Sequence, residues 1–190
     1  MKYSIVIADD EPITRMDIKE FLEEEGYNVV GEASDGFDAV ELCKEYNPDL
    51  VLMDVKMPIL DGMKASKVIL KENIAKSVIL LTAYSGPEFI KQAKDIGVMG
   101  YIVKPINKPN LIPAIEVAIA KGKEFQEIKQ DIKIAKDKLE ARKVIEKAKG
   151  ILMETNKITE DEAYKKIKKL SMDKRCPMQD IASAIVMSNS

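Results

Sequence analysis

The chain has 190 residues, with 30 Lys+Arg against 32 Asp+Glu, 46% hydrophobic and 33% charged residues, the proportions of a soluble globular protein of one domain or two small ones. It contains no histidine, which excludes a Ser-His-Asp triad, a histidine general base, a histidine-ligated metal site and a role as phosphohistidine donor. Two isolated cysteines, Cys43 and Cys176, cannot build a four-cysteine zinc site and point to a reducing cytoplasm. No apolar run approaches the roughly 20 residues of a membrane span, and the stretch from Met1 turns acidic at Asp9-Asp10, too soon for a signal peptide.

Up to residue 120, short β-branched runs alternate with longer amphipathic stretches. Strands are predicted at 5–8, 29–33, 50–53, 78–81 and 101–103, and helices at 13–25, 37–46, 62–72 and 87–96, with a further helix from Asn110. Turn signals at Glu25-Gly26, Asp35-Gly36, Asn47-Pro48 and Ile96-Gly97 fall at the unit boundaries. Five strand–helix units in a row imply an α/β fold with a parallel sheet covered on both faces.

After residue 120 the strands stop. Phe125, Ile128, Ile132, Ala135 and Leu139 are spaced 3-4-3-4, a short heptad seam flanked by Lys and Glu. Such a seam is marginal alone. Either it pairs with a second chain or it is one amphipathic linker helix resting on its own domain. The last 50 residues read as three helices. The first continues through Ile145, Ala148 and Leu152 to Asn156-Lys157. The second follows a Thr159/Glu162 capping box and buries Ala163, Ile167 and Leu170. The third has Pro177 at its first helical position and buries Ile181, Ala184 and Ile185.

Charge also divides the chain. Residues 1–120 hold 13 Lys+Arg and 20 Asp+Glu, a net of −7, and residues 121–190 hold 17 and 12, a net of +5. The basic back half suits a polyanion or is simply a solvated helix surface.

Ligands of open parallel sheets gather at the carboxyl ends of strands. Here Asp9 and Asp10 follow the first strand, Asp54 ends the third, Thr82 the fourth and Lys104 the fifth, followed by Pro105. Converging carboxylates need a cation among them, and oxygen-only ligands favour Mg²⁺. A Lys ammonium and a Thr hydroxyl opposite it suit a phosphoryl group, and Asp54 is the best nucleophile for forming an acyl phosphate. Each residue alone has a structural explanation as turn, cap or surface charge; the set at consecutive strand ends does not.

The set Asp9-Asp10, Asp54 within Leu52-Met53-Asp54-Val55-Lys56-Met57-Pro58, Asp61-Gly62, Thr82-Ala83 and Lys104-Pro105 resembles the receiver domain of two-component response regulators, over roughly residues 1–120. The resemblance implies a flavodoxin-like 2-1-3-4-5 sheet and phosphorylation of Asp54 by a sensor histidine kinase. It implies Mg²⁺ bound by Asp10, Asp54 and the Lys56 carbonyl, with Asp9 acting through water. It implies phosphoryl binding by Thr82 and Lys104, a Thr82/Tyr101 switch pair and a cis Lys104-Pro105 bond. Tyr101 also reads as an ordinary strand residue. Lys56 and Tyr84 flank the pocket, where they bear on how fast water reaches the acyl phosphate. The only chemistry expected is the protein's own phosphorylation and dephosphorylation; a metal-dependent phosphatase using the same aspartates is the enzymatic rival.

Farther on, Arg142-Lys143-Val144-Ile145-Glu146-Lys147-Ala148-Lys149-Gly150-Ile151-Leu152-Met153, then Glu162-Ala163-Tyr164, Leu170-Ser171-Met172 and Asp180-Ile181-Ala182, is similar to the ANTAR domain of RNA-binding antiterminators. Ser171 stands where that family usually has Ala. The resemblance implies a three-helix domain that binds paired hairpins in nascent mRNA leaders, prevents termination and dimerises through the preceding coiled coil. The domains are then a receiver at 1–120, a coiled-coil linker helix at 121–138 and an ANTAR domain at 139–190. The whole chain looks similar to such regulators of ethanolamine utilisation. Expected RNA contacts are Arg142, Lys149, Gly150, Tyr164, Lys165, Lys168 and Arg175; for Tyr164 core packing competes with base stacking, and the lysine pairs of the second helix also read as solvated surface. A homodimer forming on phosphorylation would give two reading heads. DNA binding at promoters and a protein-interaction adaptor are the alternatives.

Overall fold

A computed structural model describes residues 3–83 and 86–188. The described elements run β1 (Ser4–Ala8), α1 (Pro12–Glu24), β2 (Asn28–Ala33), α2 (Gly36–Tyr46), β3 (Leu50–Asp54), α3 (Gly62–Glu72), β4 (Val78–Thr82), α4 (Pro87–Ile96), β5 (Gly100–Val103), α5 (Lys108–Asn156), α6 (Glu160–Lys174) and α7 (Met178–Ser188). They divide into two units, Met1–Glu127 and Ile128–Ser190, and the 49-residue α5 contributes to both. None of the described helices is long and apolar enough to cross a membrane.

The first unit is one parallel sheet in the order β2-β1-β3-β4-β5. Because successive strand residues point to opposite faces, the apolar runs feed two cores at once. Val6, Val51, Met53, Val78 and Leu80 meet Ala39 and Cys43 of α2 and Ala65 and Ile69 of α3 on one face. Ile5, Ile7, Leu50, Leu52, Ile79 and Leu81 meet Ile18 and Leu22 of α1 and Leu111 and Ile115 of α5 on the other. The central strands β3 and β4 are buried throughout, whereas the edge strands β2 and β5 are partly open. Burial pushes the Cys43 thiol up to about 12, so it is a core side chain and not a reactive one.

Two aspartates shape the loops beside the sheet's carboxyl edge. Asp35 accepts from the Phe37 and Asp38 amides to cap α2, and Asp61 accepts from the Lys64 amide to cap α3. The chain from β3 into α3 then passes so close to itself that a Cβ on Gly62 would lie 1.8 Å from the Asp54 carbonyl oxygen. Only a residue without a side chain permits that approach.

The second unit packs α6 and α7 on the carboxyl-terminal part of α5 around buried Ala148, Ile167 and Ala182. The capping box forms as expected: the Thr159 amide donates to Glu162 Oε2 at 2.8 Å, and the Glu162 amide donates to Thr159 Oγ1. The third helix departs from expectation by one residue. Pro177 precedes it, its carbonyl accepting from the Asp180 amide, and α7 begins at Met178. From that start, positions 178, 181, 182, 185 and 186 share the inner face, so Ala182 is buried and Ala184 is exposed. Along α5, Phe125, Ile128, Ile132 and Leu139 are each 47–53% exposed. Gly62→Ala is expected to destabilise the first unit by about 2 kcal/mol, since backbone must yield on both sides of the new Cβ; urea denaturation of the variant checks this.

Candidate functional site

Register sets the geometry of the site. Ala8 of β1 pairs with Met53 of β3, so Asp9 and Asp54 arrive level at the carboxyl edge. Asp54 pairs with Leu81 of β4, and Thr82 pairs with Val103 of β5, which brings Thr82 and Lys104 to the same rim. The Lys104 amide donates to the Thr82 carbonyl at 2.8 Å, and the Lys104-Pro105 bond is cis. Lys104 Nζ lies 2.8 Å from Asp9 Oδ2 and 2.8 Å from Asp54 Oδ1. Asp9, Asp54 and Thr82 are all buried.

Other groups hold this triplet in place. The Glu11 amide donates to Asp9 Oδ1 at 3.0 Å, and the Arg15 guanidinium donates to the Asp9 carbonyl at 2.6 Å. The Lys56 amide donates to the Asp54 carboxylate. Burial raises the Asp54 carboxyl above the ordinary aspartate range, with Lys104 pulling part of the way back. For Lys104 burial acts downward, but the two carboxylates outweigh it and hold the ammonium above the usual lysine value. Lys104 is therefore a full positive charge at neutral pH.

The expectation of three convergent carboxylates is met in part. Lys104 takes the place between Asp9 and Asp54, while Asp10 is exposed, and among the described residues no group of three acidic, cysteine or histidine side chains is close enough to hold a metal. The donor set nevertheless suits a hard cation. It is made of carboxylate oxygens, and Asp9 Oδ2 is buried with an ion pair to Lys104 but no hydrogen bond of proper alignment.

Tyr101 is partly exposed and packs edge-on against Phe89 of α4, with ring centroids 5.7 Å apart. Tyr84 lies outside the described residues. In the second unit, Arg142, Tyr164, Lys165, Lys168 and Arg175 are exposed, and Lys165 pairs with Asp161 one turn away. Tyr164, Lys168 and Met172 follow one another at helical spacing, so they line one face of α6, and exposed Arg175 ends that helix in the left-handed conformation.

Lys149 corrects the sequence reading. It is nearly buried, and its ammonium lies 2.8 Å from Glu146 and 2.6 Å from Glu160. It fastens the start of α6 to α5 instead of facing outward. A Cβ on Gly150 would meet nothing within 4 Å, so helix packing does not account for that glycine. Sequence reasoning assigned no role to Arg15 or to Glu160; both act through tertiary contacts that leave no local signal. Gly62 had one, its place beside Asp61 ahead of an amphipathic run.

The raised Asp54 carboxyl has a consequence for stability. A group whose value is higher folded than unfolded contributes stability at low pH and loses it as pH rises through the folded value. In EDTA, Asp54→Asn is thus expected to raise the melting midpoint of the first unit by a few degrees at pH 7, the gain shrinking as pH is lowered to about 4; thermal melts across that range test it.

Comparison with known proteins agrees with this geometry. A model of the response regulator receiver domain matches residues 5–116 and a model of the ANTAR domain matches residues 134–186. The transcriptional regulatory protein PdtaR of Mycobacterium tuberculosis is 43% identical over 182 residues, covering 96% of this chain and 88% of its own length. The chemotaxis protein CheY of Halobacterium salinarum is 40% identical over 115 residues, 60% of this chain and 95% of that protein. Among solved structures, the signal receiver domain of the putative response regulator NarL from Mycobacterium tuberculosis superposes with a TM-score of 0.60 at 32% identity, covering 63% of this chain and 97% of that one. The chain belongs to the response regulators that join a receiver domain to an ANTAR RNA-binding antitermination domain.

Proposed function

We propose that this response regulator is switched by phosphorylation of Asp54, and that the phosphorylated chain dimerises and binds hairpins in nascent mRNA to prevent termination. The observation that carries the reading is the Asp9–Lys104–Asp54 triplet, two buried carboxylates held by one ammonium at 2.8 Å. An Asp54 oxygen attacks the phosphorus of a sensor kinase's phosphohistidine. The O–P bond forms as the P–N bond breaks, and the imidazole leaves with the electron pair. Lys104 and the Thr82 hydroxyl then bind the phosphoryl oxygens. Asp10, Asp54 and the Lys56 carbonyl, with Asp9 through water, would hold Mg²⁺, which offsets the negative charge that carboxylate and phosphoryl group bring together.

Phosphorylation draws Lys104 from Asp54 to the new oxygens and gives Thr82 an anion to approach. Tyr101 then leaves its contact with Phe89 and follows Thr82 inward, which re-forms the face made by α4 and β5. The dimer closes along Phe125, Ile128, Ile132, Ala135 and Leu139. This is a shift between states, so concentrated unphosphorylated protein retains some activity. RNA meets Arg142, Lys168, Arg175 and Tyr164, with Lys165 able to exchange Asp161 for a phosphate, and the open backbone at Gly150 permits close approach.

Asp54→Ala is expected to abolish stoichiometric labelling by acetyl phosphate with Mg²⁺ and the accompanying gain of dimer; a variant that still dimerises on phosphodonor assigns the switch elsewhere. In gel shifts, a tandem hairpin RNA is expected to bind in preference to duplex promoter DNA, and the reverse order supports a DNA-binding regulator. Lys168→Ala should weaken hairpin binding and lower the salt-dependence slope by roughly one. Lys149→Met should leave that slope unchanged while lowering the melting midpoint of the second unit, because its charge is held inside the protein.

A further inference from the structure

The apolar stripe of α5 is bordered by charges whose order selects a partner. With Phe125 and Ile132 at a and Ile128 and Ala135 at d, the flanking e positions are Lys129, Lys136 and Lys143, and the g positions are Glu124, Asp131 and Lys138. In a parallel, in-register pair of helices, each g side chain meets the e side chain five residues on in the other helix. Glu124 then faces the partner's Lys129 and Asp131 faces the partner's Lys136. The third contact sets Lys138 against the partner's Lys143, but Lys143 already has Glu140 of its own helix at 2.9 Å. In an antiparallel pair e faces e, which sets lysine against lysine at every level.

The stripe also has a defined end. The next d and a positions are Arg142 and Glu146, neither of which closes an apolar layer. Over the same stretch Val144 and Ile145 turn to the core of their own three-helix unit. The seam is therefore two heptads long, and Arg142 falls just outside it.

We propose that this face of α5 binds a second copy of the same chain, parallel and in register, with the Glu124–Lys129 and Asp131–Lys136 contacts choosing the orientation. The inference rests on the dimer reading above and adds its direction and charge code. An in-register parallel pair sets both second units at the same end of the seam, as two reading heads on one transcript require.

The test uses the full chain, beryllofluoride with Mg²⁺ as the phosphoryl mimic, and sedimentation velocity at low salt. Reversal of two exposed e charges, Lys129→Glu with Lys136→Glu, turns four attractive contacts of the parallel dimer into repulsive ones. The dimer dissociation constant should rise by about tenfold or more. Adding Glu124→Lys and Asp131→Lys should restore it, with helicity by circular dichroism unchanged in all variants. In the antiparallel arrangement both copies carry the reversal, so lysine pairs become glutamate pairs or meet Lys143 and the dimer is not weakened; a dimer as tight as wild type or tighter overturns the proposal while leaving dimerisation intact. Wild-type chain that stays monomeric with beryllofluoride overturns the dimer reading itself, and the proposal with it.

Discussion

Two carboxylates from neighbouring strands, removed from water and sharing one ammonium, are the constraint from which the rest of this molecule follows. Asp9 and Asp54 bring two negative charges to one rim and Lys104 returns one positive charge, so the cluster carries a net charge of −1 before the exposed Asp10 beside it is counted. Burial makes that excess costly, as the raised Asp54 carboxyl shows. Relief comes from adding a cation, or from converting Asp54 into a group whose charge sits farther out. Both routes loosen Lys104 from its present partners. On the reading proposed above, a phosphoryl group and a divalent ion would displace this arrangement together, and a small covalent change would thereby acquire leverage over a well-packed sheet.

That arrangement is available only because the sheet is parallel and ordered β2-β1-β3-β4-β5. Every strand ends on the same edge, and placing β3 between β1 and β4 sets Asp54 in the middle of the functional residues. An antiparallel sheet of the same strands would send alternate ends to the opposite edge and part Asp9 from Lys104. Gly62, the Asp61 cap and the amide of Lys56 then hold the loop after β3 tightly against the site. The stability of the two cores and the geometry of the pocket are one problem here. The same alternation that sends Leu52 to one face and Met53 to the other brings Asp54 to the rim.

The first unit was legible in the sequence to within a residue or two at each boundary, because its strands are short β-branched runs and its site residues are polar groups placed at the ends of those runs. Asp54 after four apolar residues is conspicuous on any physical reading. The second unit was less legible, for a definite reason. Its helices are rich in Ala and Lys, which carry little information about facing. Ala182 and Ala184 differ only in which side of α7 they occupy, two residues being a rotation of about 200° around the helix. Lys149 looks like its neighbours Lys147 and Lys143 until α6 brings Glu160 across to it. A lysine's role is set by what covers it, and cover comes from tertiary structure. The long α5 was readable in its segments, but that they are one helix follows from the absence of any proline between Pro113 and Asn156, with Gly122 and Gly150 tolerated inside it.

If the stripe on α5 is the dimer seam proposed above, it has to be weak to be useful. Two heptads with one alanine layer bury too little apolar surface to hold two chains together alone at low concentration. A longer or fully apolar seam would dimerise regardless of Asp54, and phosphorylation would then have nothing to decide. A shift from one part in a hundred to ninety-nine takes about 5.5 kcal/mol of differential stabilisation, more than one relocated ammonium supplies near a protein surface. On the proposed reading several marginal terms would share the difference: the face of α4 and β5, the apolar layers of α5, and the flanking charges that make one orientation acceptable. In the proposed switch each is too small to act by itself, and only together would they respond to a single acyl phosphate. Phe125, Ile128, Ile132 and Leu139 are each about half exposed, the open state from which the proposed switch would start.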